Sequence, residues 1–127
     1  MKNFLKTKLL LIIILFCTIT IQAQSWMSST SVNCEWNDSI KGPTNCTTYI
    51  NPVSISFYDN TFYILDLNNE KVLSYKTHFY STVDGITSHI LETMDYVILF
   101  TVTDDFILCT IVTKQTKRTN LNYYFID

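Results

Sequence analysis

From Val53 onward the chain is written in short apolar runs with a period of two, a pattern that admits little but a β-sheet. Val53, Ile55 and Phe57 alternate with Ser54 and Ser56, so an extended backbone turns one face to a core and the other to water. Pairs of turn formers separate the runs: Asp59-Asn60, Asn68-Asn69, Asp84-Gly85 and Asp104-Asp105. Asn and Asp tolerate the left-handed backbone that tight hairpins need. That tolerance matters here, because Gly42 and Gly85 are the only glycines.

The clearest hairpin is Tyr96 to Thr103 followed by Phe106 to Thr113. Tyr96, Ile98, Phe100 and Val102 share one face and Val97 and Leu99 the other, which predicts a strand covered on both sides. Thr87 to Met94 is ambiguous. Ile90, Leu91 and Met94 would line a helix, but Thr87, His89 and Leu91 alternate, and a strand is preferred. β-Branched and aromatic residues dominate these runs, as pleated surfaces favour. The expectation is an all-β domain: a small antiparallel meander of about seven strands, closed into a barrel or a sandwich.

The N-terminal segment sets the compartment. Lys2, Lys6 and Lys8 lead into an apolar run, Leu9 to Ile21, which closes on Gln22-Ala23. A cationic start, a short apolar middle and a small exit residue make a secretory signal peptide, 1–23, with cleavage predicted between Ala23 and Gln24. The run falls short of the roughly 20 apolar residues a membrane helix needs, so no stable membrane span is expected after processing. Cys17 lies within the run behind bulky Phe16, unlike a lipid-bearing cysteine.

Removing 23 of the 127 residues leaves 104, the size of one domain with one core. Residues 24–52 are expected to form an N-terminal strand around Met27 to Trp36 and a disulfide-tethered loop, with Trp26 and Trp36 covering a sheet edge. Residues 53–127 carry the meander of the same domain. The processed chain keeps six basic against eleven acidic side chains, a net of −5. Phosphate contacts need clustered cations, so a nucleic-acid partner is not expected. The predicted location is secreted or periplasmic. In that oxidising setting Cys34 and Cys46 are the expected disulfide, and Cys109, between Leu108 and Ile111, is expected as a buried free thiol.

Residues capable of chemistry are few. His78, His89 and Cys109 are the only material for a thiol–imidazole dyad, which needs hydrogen-bond contact. His78 lies in a polar-facing register and Cys109 in an apolar run, so contact is not indicated. A metal centre from the histidines with Glu92 or Asp95 needs three or four converging ligands, and His89 and Glu92 would converge only on a helix. Two isolated glycines make no phosphate-binding loop, and no serine nucleophile elbow is present. Catalytic residues, metal ligands and cofactors are therefore all expected to be none. Asn37-Asp-Ser39 and Asn45-Cys-Thr47 fit the N-linked glycosylation pattern, and Asp38-Ser39-Ile40 resembles a bacterial O-glycosylation pattern.

The remaining anomaly is aromatic content: 16 of the 18 aromatic side chains lie beyond the signal segment. Tyr58, Tyr63, Tyr75, Tyr80, Tyr123 and Tyr124 have polar neighbours, and tyrosine is enriched at interfaces. They form the candidate contact surface. The expected function is a non-enzymatic binding or inhibitory module of a bacterial cell envelope, meeting a protein or a glycan. A small apolar-ligand carrier with a barrel interior, and a thiol enzyme built on Cys109, are the alternatives.

Overall fold

A computed structural model describes residues 23–127. The predicted signal segment therefore lies outside the described residues, apart from Ala23 at its exit. Nine strands follow: β1 (Gln24–Asn37), β2 (Gly42–Tyr58), β3 (Thr61–Asp66), β4 (Lys71–Lys76), β5 (Phe79–Val83), β6 (Ile86–Glu92), β7 (Tyr96–Val102), β8 (Phe106–Thr113) and β9 (Thr119–Phe125). No helix occurs among the described residues, and none is long and apolar enough to cross a membrane. The fold is all-β, with nine strands where about seven were expected, because each short run pairs as a strand of its own. Residues 86–92 are one of them, so the ambiguous segment is extended.

All nine strands belong to one antiparallel sheet in the order β4-β3-β2-β1-β9-β8-β7-β6-β5. Two sequential meanders, β1–β4 and β5–β9, are joined by the pairing of β1 with β9. The chain then passes from one edge strand to the other through Thr77 and His78 alone. Flat, nine strands would set their edges about 38 Å apart, eight spacings of ~4.8 Å. Three residue steps from Lys76 to Phe79 reach about 11 Å at most. The sheet must therefore curl, and it forms a half-barrel rather than a two-sheet sandwich.

The crossing is fastened to the β2–β3 turn and to β6. Thr77 donates from its backbone N and its Oγ1 to the Asn60 carbonyl (2.7 and 3.0 Å), while His78 N donates to the Ile90 carbonyl at 2.9 Å. Thr77 is buried, as befits a polar residue whose amide and hydroxyl are both bonded.

The core fills the concave side. Val53, Ile55, Phe62, Ile64, Ile98, Phe100, Ile107 and Cys109 form its buried cluster. Phe62 of β3 meets Phe100 of β7, and Phe57 of β2 meets His89 of β6 at 4.5 Å between ring centroids. These strands are not neighbours in the sheet, so their side chains meet across the curl. Trp26 packs against this cluster from a strand in the middle of the sheet, not at its edge as expected.

The N-terminal half differs most from expectation. Residues 42–52, expected as loop, are strand and continue into β2. Their side chains are mostly exposed on both faces, so no apolar alternation marks them. Cys34 stands opposite two residues, Asn45 and Cys46, where the β1–β2 register shifts between Asn33/Thr47 and Glu35/Thr44. Asn45 takes a left-handed backbone (φ 52°), as a bulge residue does. The Cys34 and Cys46 sulfurs lie at disulfide distance across this bulge, 2.04 Å. Such a pair is compatible with an oxidising compartment.

Turn chemistry follows the sequence at two hairpins. Asp59 and Asn60 (φ 51° and 57°), and Asp84 and Gly85 (φ 52° and 79°), have the left-handed pairs of a two-residue turn. At the β3–β4 turn the left-handed residue is Glu70 (φ 53°), not Asn68 or Asn69.

Candidate binding site

The open end of the half-barrel beside β4 holds a cleft of about 240 Å³. Pairing places its residues. Ser31 faces Tyr49 across β1–β2, Val53 faces Asp66 and Ile64 faces Leu73 across β2–β3–β4, and Asp66 faces Lys71. Val53 and Ile64 make an apolar floor, and both are buried. Tyr49 and Tyr124 form walls, the first 53% exposed. Asn51, Asp66 and Lys71 stand on the rim.

Asp66 organises that rim. Its carboxylate accepts from Asn51 Nδ2 (3.0 Å), Asn69 Nδ2 (2.9 Å) and the backbone N of Asn68 and Asn69 (3.0 and 3.2 Å). Asn68 Nδ2 donates in turn to Asn51 Oδ1 at 2.7 Å. The Asn51 side-chain bond, then those from Asn69, hold the Asp66 carboxyl below its ordinary range, because each donor favours the charged form. The network fixes the β3–β4 turn and presents an amide and a carboxylate beside the tyrosine walls.

The six tyrosines expected to form one contact surface are divided between both faces of the sheet. Tyr75 and Tyr124 point into the curl, against the core, and burial pushes Tyr124 up to about 12. Tyr80 is 71% exposed on the edge strand β5. Tyr58 and Tyr63 lie on the outer face, paired with Thr61 and Ser56. Tyr123 is also on the outer face, its ring 5.6 Å from Phe106. Tyr49, Asn51 and Lys71 were missed by sequence reasoning. Tyr49 and Asn51 fell in the supposed loop, and Lys71 resembles any surface lysine.

The thiol and the histidines are apart. Cys109 is a free, buried cysteine, and desolvation pushes its thiol up to about 12. Phe100 lies opposite both His89 and Cys109, so one strand separates them, a gap of about 10 Å at two strand spacings. His89 packs among Phe57, Phe62 and Tyr80, and its burial lowers its pKa. His78 lies at the crossing. Glu92 faces outward and takes a bond from Lys114 Nζ at 2.8 Å. No group of three metal-ligating side chains converges among the described residues.

The glycosylation patterns lie on the exposed β1–β2 hairpin, where Asn37 Oδ1 accepts from Ser39 N at 2.9 Å. Two further clefts, of about 280 and 370 Å³, open around Asn60, Tyr80 and His89 beside the crossing. Comparison with protein-family models, curated proteins and solved structures finds no match.

Proposed function

We propose that this protein is a non-enzymatic binding module of the cell envelope, exported by its N-terminal segment, and that the β4-side cleft is where it takes its ligand. The observation that carries this is the composition of the cleft: two tyrosine walls, an apolar floor, and an amide, a carboxylate and an ammonium on one rim. Binding sites are typically concave and apolar with a few placed polar groups that fix orientation. A ring wall beside planar hydrogen-bonding groups suits a ligand with one apolar face and a polar edge, the shape of a sugar residue at the end of a glycan chain.

The two alternative functions find less support. A carrier of apolar molecules needs an empty interior, and here Phe62, Phe100, Phe57 and Tyr75 occupy it. A thiol enzyme needs a thiolate within reach of a base, and Cys109 is both desolvated and distant from His89.

Saturation-transfer NMR with fragments of envelope polysaccharide tests the proposal. Saturation of sugar protons by the tyrosine rings, and a loss of at least tenfold in affinity in Tyr49→Ala, is the expected result. Failure of every fragment to bind, or equal binding by Tyr49→Ala, would remove the cleft from consideration.

A further inference from the structure

The two edges of the sheet are not equivalent. β4 begins with Lys71 and ends with Lys76, the charged flanking that discourages edge-to-edge pairing. β5, Phe79-Tyr-Ser-Thr-Val83, carries no charge and is exposed along its whole length. Around it lies an apolar stripe on the outer face: Phe79 pairs with Ile90, and Val83 with Ile86. Phe79 and Val83 are 55% and 66% exposed.

We infer that β5 pairs antiparallel with β5 of a second copy, about a two-fold axis through Ser81, giving a reversible dimer with one continuous sheet. Hydrogen bonding selects this register. The two-residue turn at Asp84-Gly85 closes on Val83 and Ile86, so Val83, Ser81 and Phe79 direct their backbone groups to β6. Tyr80 and Thr82 direct theirs outward, and no partner for them occurs among the described residues. With Ser81 on the axis, Tyr80 of each copy faces Thr82 of the other. All four outward N–H groups then meet outward carbonyls.

Side chains agree with the same register. Phe79 faces Val83 of the second copy at both ends, which carries the outer apolar stripe across the axis. Beyond them, His78 of one copy approaches the Asp84-Gly85 turn of the other. The same operation on β4 would set Lys71 against Lys76, like against like. A five-residue edge buries less than a standard interface, so the association is weak and concentration-dependent. It is independent of whatever the β4-side cleft binds.

A charge exchange at the axis tests this. Ser81 is exposed on the outer face, opposite Ser88, so neither Ser81→Lys nor Ser81→Glu disturbs the core. In sedimentation velocity, the unmodified chain is expected to shift from monomer to dimer with concentration. Each variant alone is expected to stay monomeric, and an equimolar mixture of the two to recover dimer. Thr82→Pro, which removes an outward N–H but no bond to β6, is expected to abolish dimer while keeping the circular dichroism of the fold. A monomer at every concentration up to about 1 mM, a dimer unaffected by Ser81→Lys, or a mixture that fails to recover dimer would each overturn the inference.

Discussion

Phe62 on β3 and Phe100 on β7 stack face to face across the curl, their ring centroids 4.3 Å apart and their planes 12° from parallel. Both rings are fully buried. Four strands of the sheet lie between β3 and β7, so this contact holds the curl closed from within. Phe62→Ala or Phe100→Ala is expected to cost about 3–5 kcal/mol, a large part of the ~5–15 kcal/mol typical of a domain. Urea titration of Phe62→Leu, Phe100→Leu and their double variant should give a coupling of about 0.5–1.5 kcal/mol. Additive effects would mean that the rings contribute buried area and nothing more.

Reduction of the Cys34–Cys46 pair acts on a different region. The sulfurs close a loop with a sequence separation of 12, so reduction, or serine at both positions, should lower stability by about 3 kcal/mol. The β1–β2 arm has little core of its own. Amide exchange is therefore expected to quicken first between Thr44 and Tyr49, and uniform acceleration throughout the sheet would contradict that order.

Alkaline pH should unfold the domain through its buried acids. Cys109 rises from 9.0 to about 12 and Tyr124 from 10.0 to about 12, in both cases chiefly by desolvation. Both stay neutral in the folded state where the unfolded chain would ionise. Their contribution is complete below pH ~9 and is lost as pH rises from ~9 to ~12. Thermal melts across that range should show a falling midpoint, and Cys109→Ala should flatten the fall. Native Cys109 should resist iodoacetamide at pH 8 and react once unfolded, because the thiolate is the nucleophile.

Acid has the opposite target. His89 is lowered from 6.5 by its burial, so the unfolded chain takes up its proton first. Its contribution is present above pH ~6.5 and is lost as pH falls below it. Asp66 and Glu92 are also lowered, by hydrogen bonds from Asn51 and Lys114 first, but they act below the ordinary carboxylate range. Between pH 7 and 5, His89→Gln should therefore show a shallower loss of stability than the unmodified chain. Parallel curves would assign that loss to other groups.

The exposed ion pair between Glu92 and Lys114 (2.8 Å, side chains 55% and 37% exposed) should contribute little. Glu92→Ala is expected to leave the urea midpoint within error of that of the unmodified chain, as loss of an exposed pair usually does. A clear fall of the urea midpoint would show that it anchors the Thr93–Asp95 turn.

Much of the meander was legible because alternation and burial coincide in β2 from Val53 and in β3, β7 and β8. Val53, Ile55 and Phe57 face the core as their spacing predicts, and the Tyr96–Thr113 hairpin forms with Ile98 and Phe100 inward. The same logic failed at 42–52, where both faces meet water and residues such as Thr47, Thr48 and Asn51 carry no period. The cleft was hidden for that reason: Tyr49 and Asn51 lie on this stretch and meet Asp66 and Lys71 only through the β2–β3–β4 pairing. A curled meander was expected, but not that it would be one half-barrel sheet. That form follows from the short crossing at Thr77 and His78 together with the pairing of β1 with β9, and no local pattern encodes that pairing.

That pairing has a kinetic corollary. Each meander can assemble by closing one hairpin after another, with partners near in sequence. The ladder from Thr30–Glu35 to Asn120–Phe125 joins groups such as Asn33 and Asn122, which are 89 positions apart and hydrogen-bonded to each other. Contacts of such separation raise the contact order and slow folding. The halves thus have to wait for each other, and until they merge each exposes a raw edge where aggregation can begin.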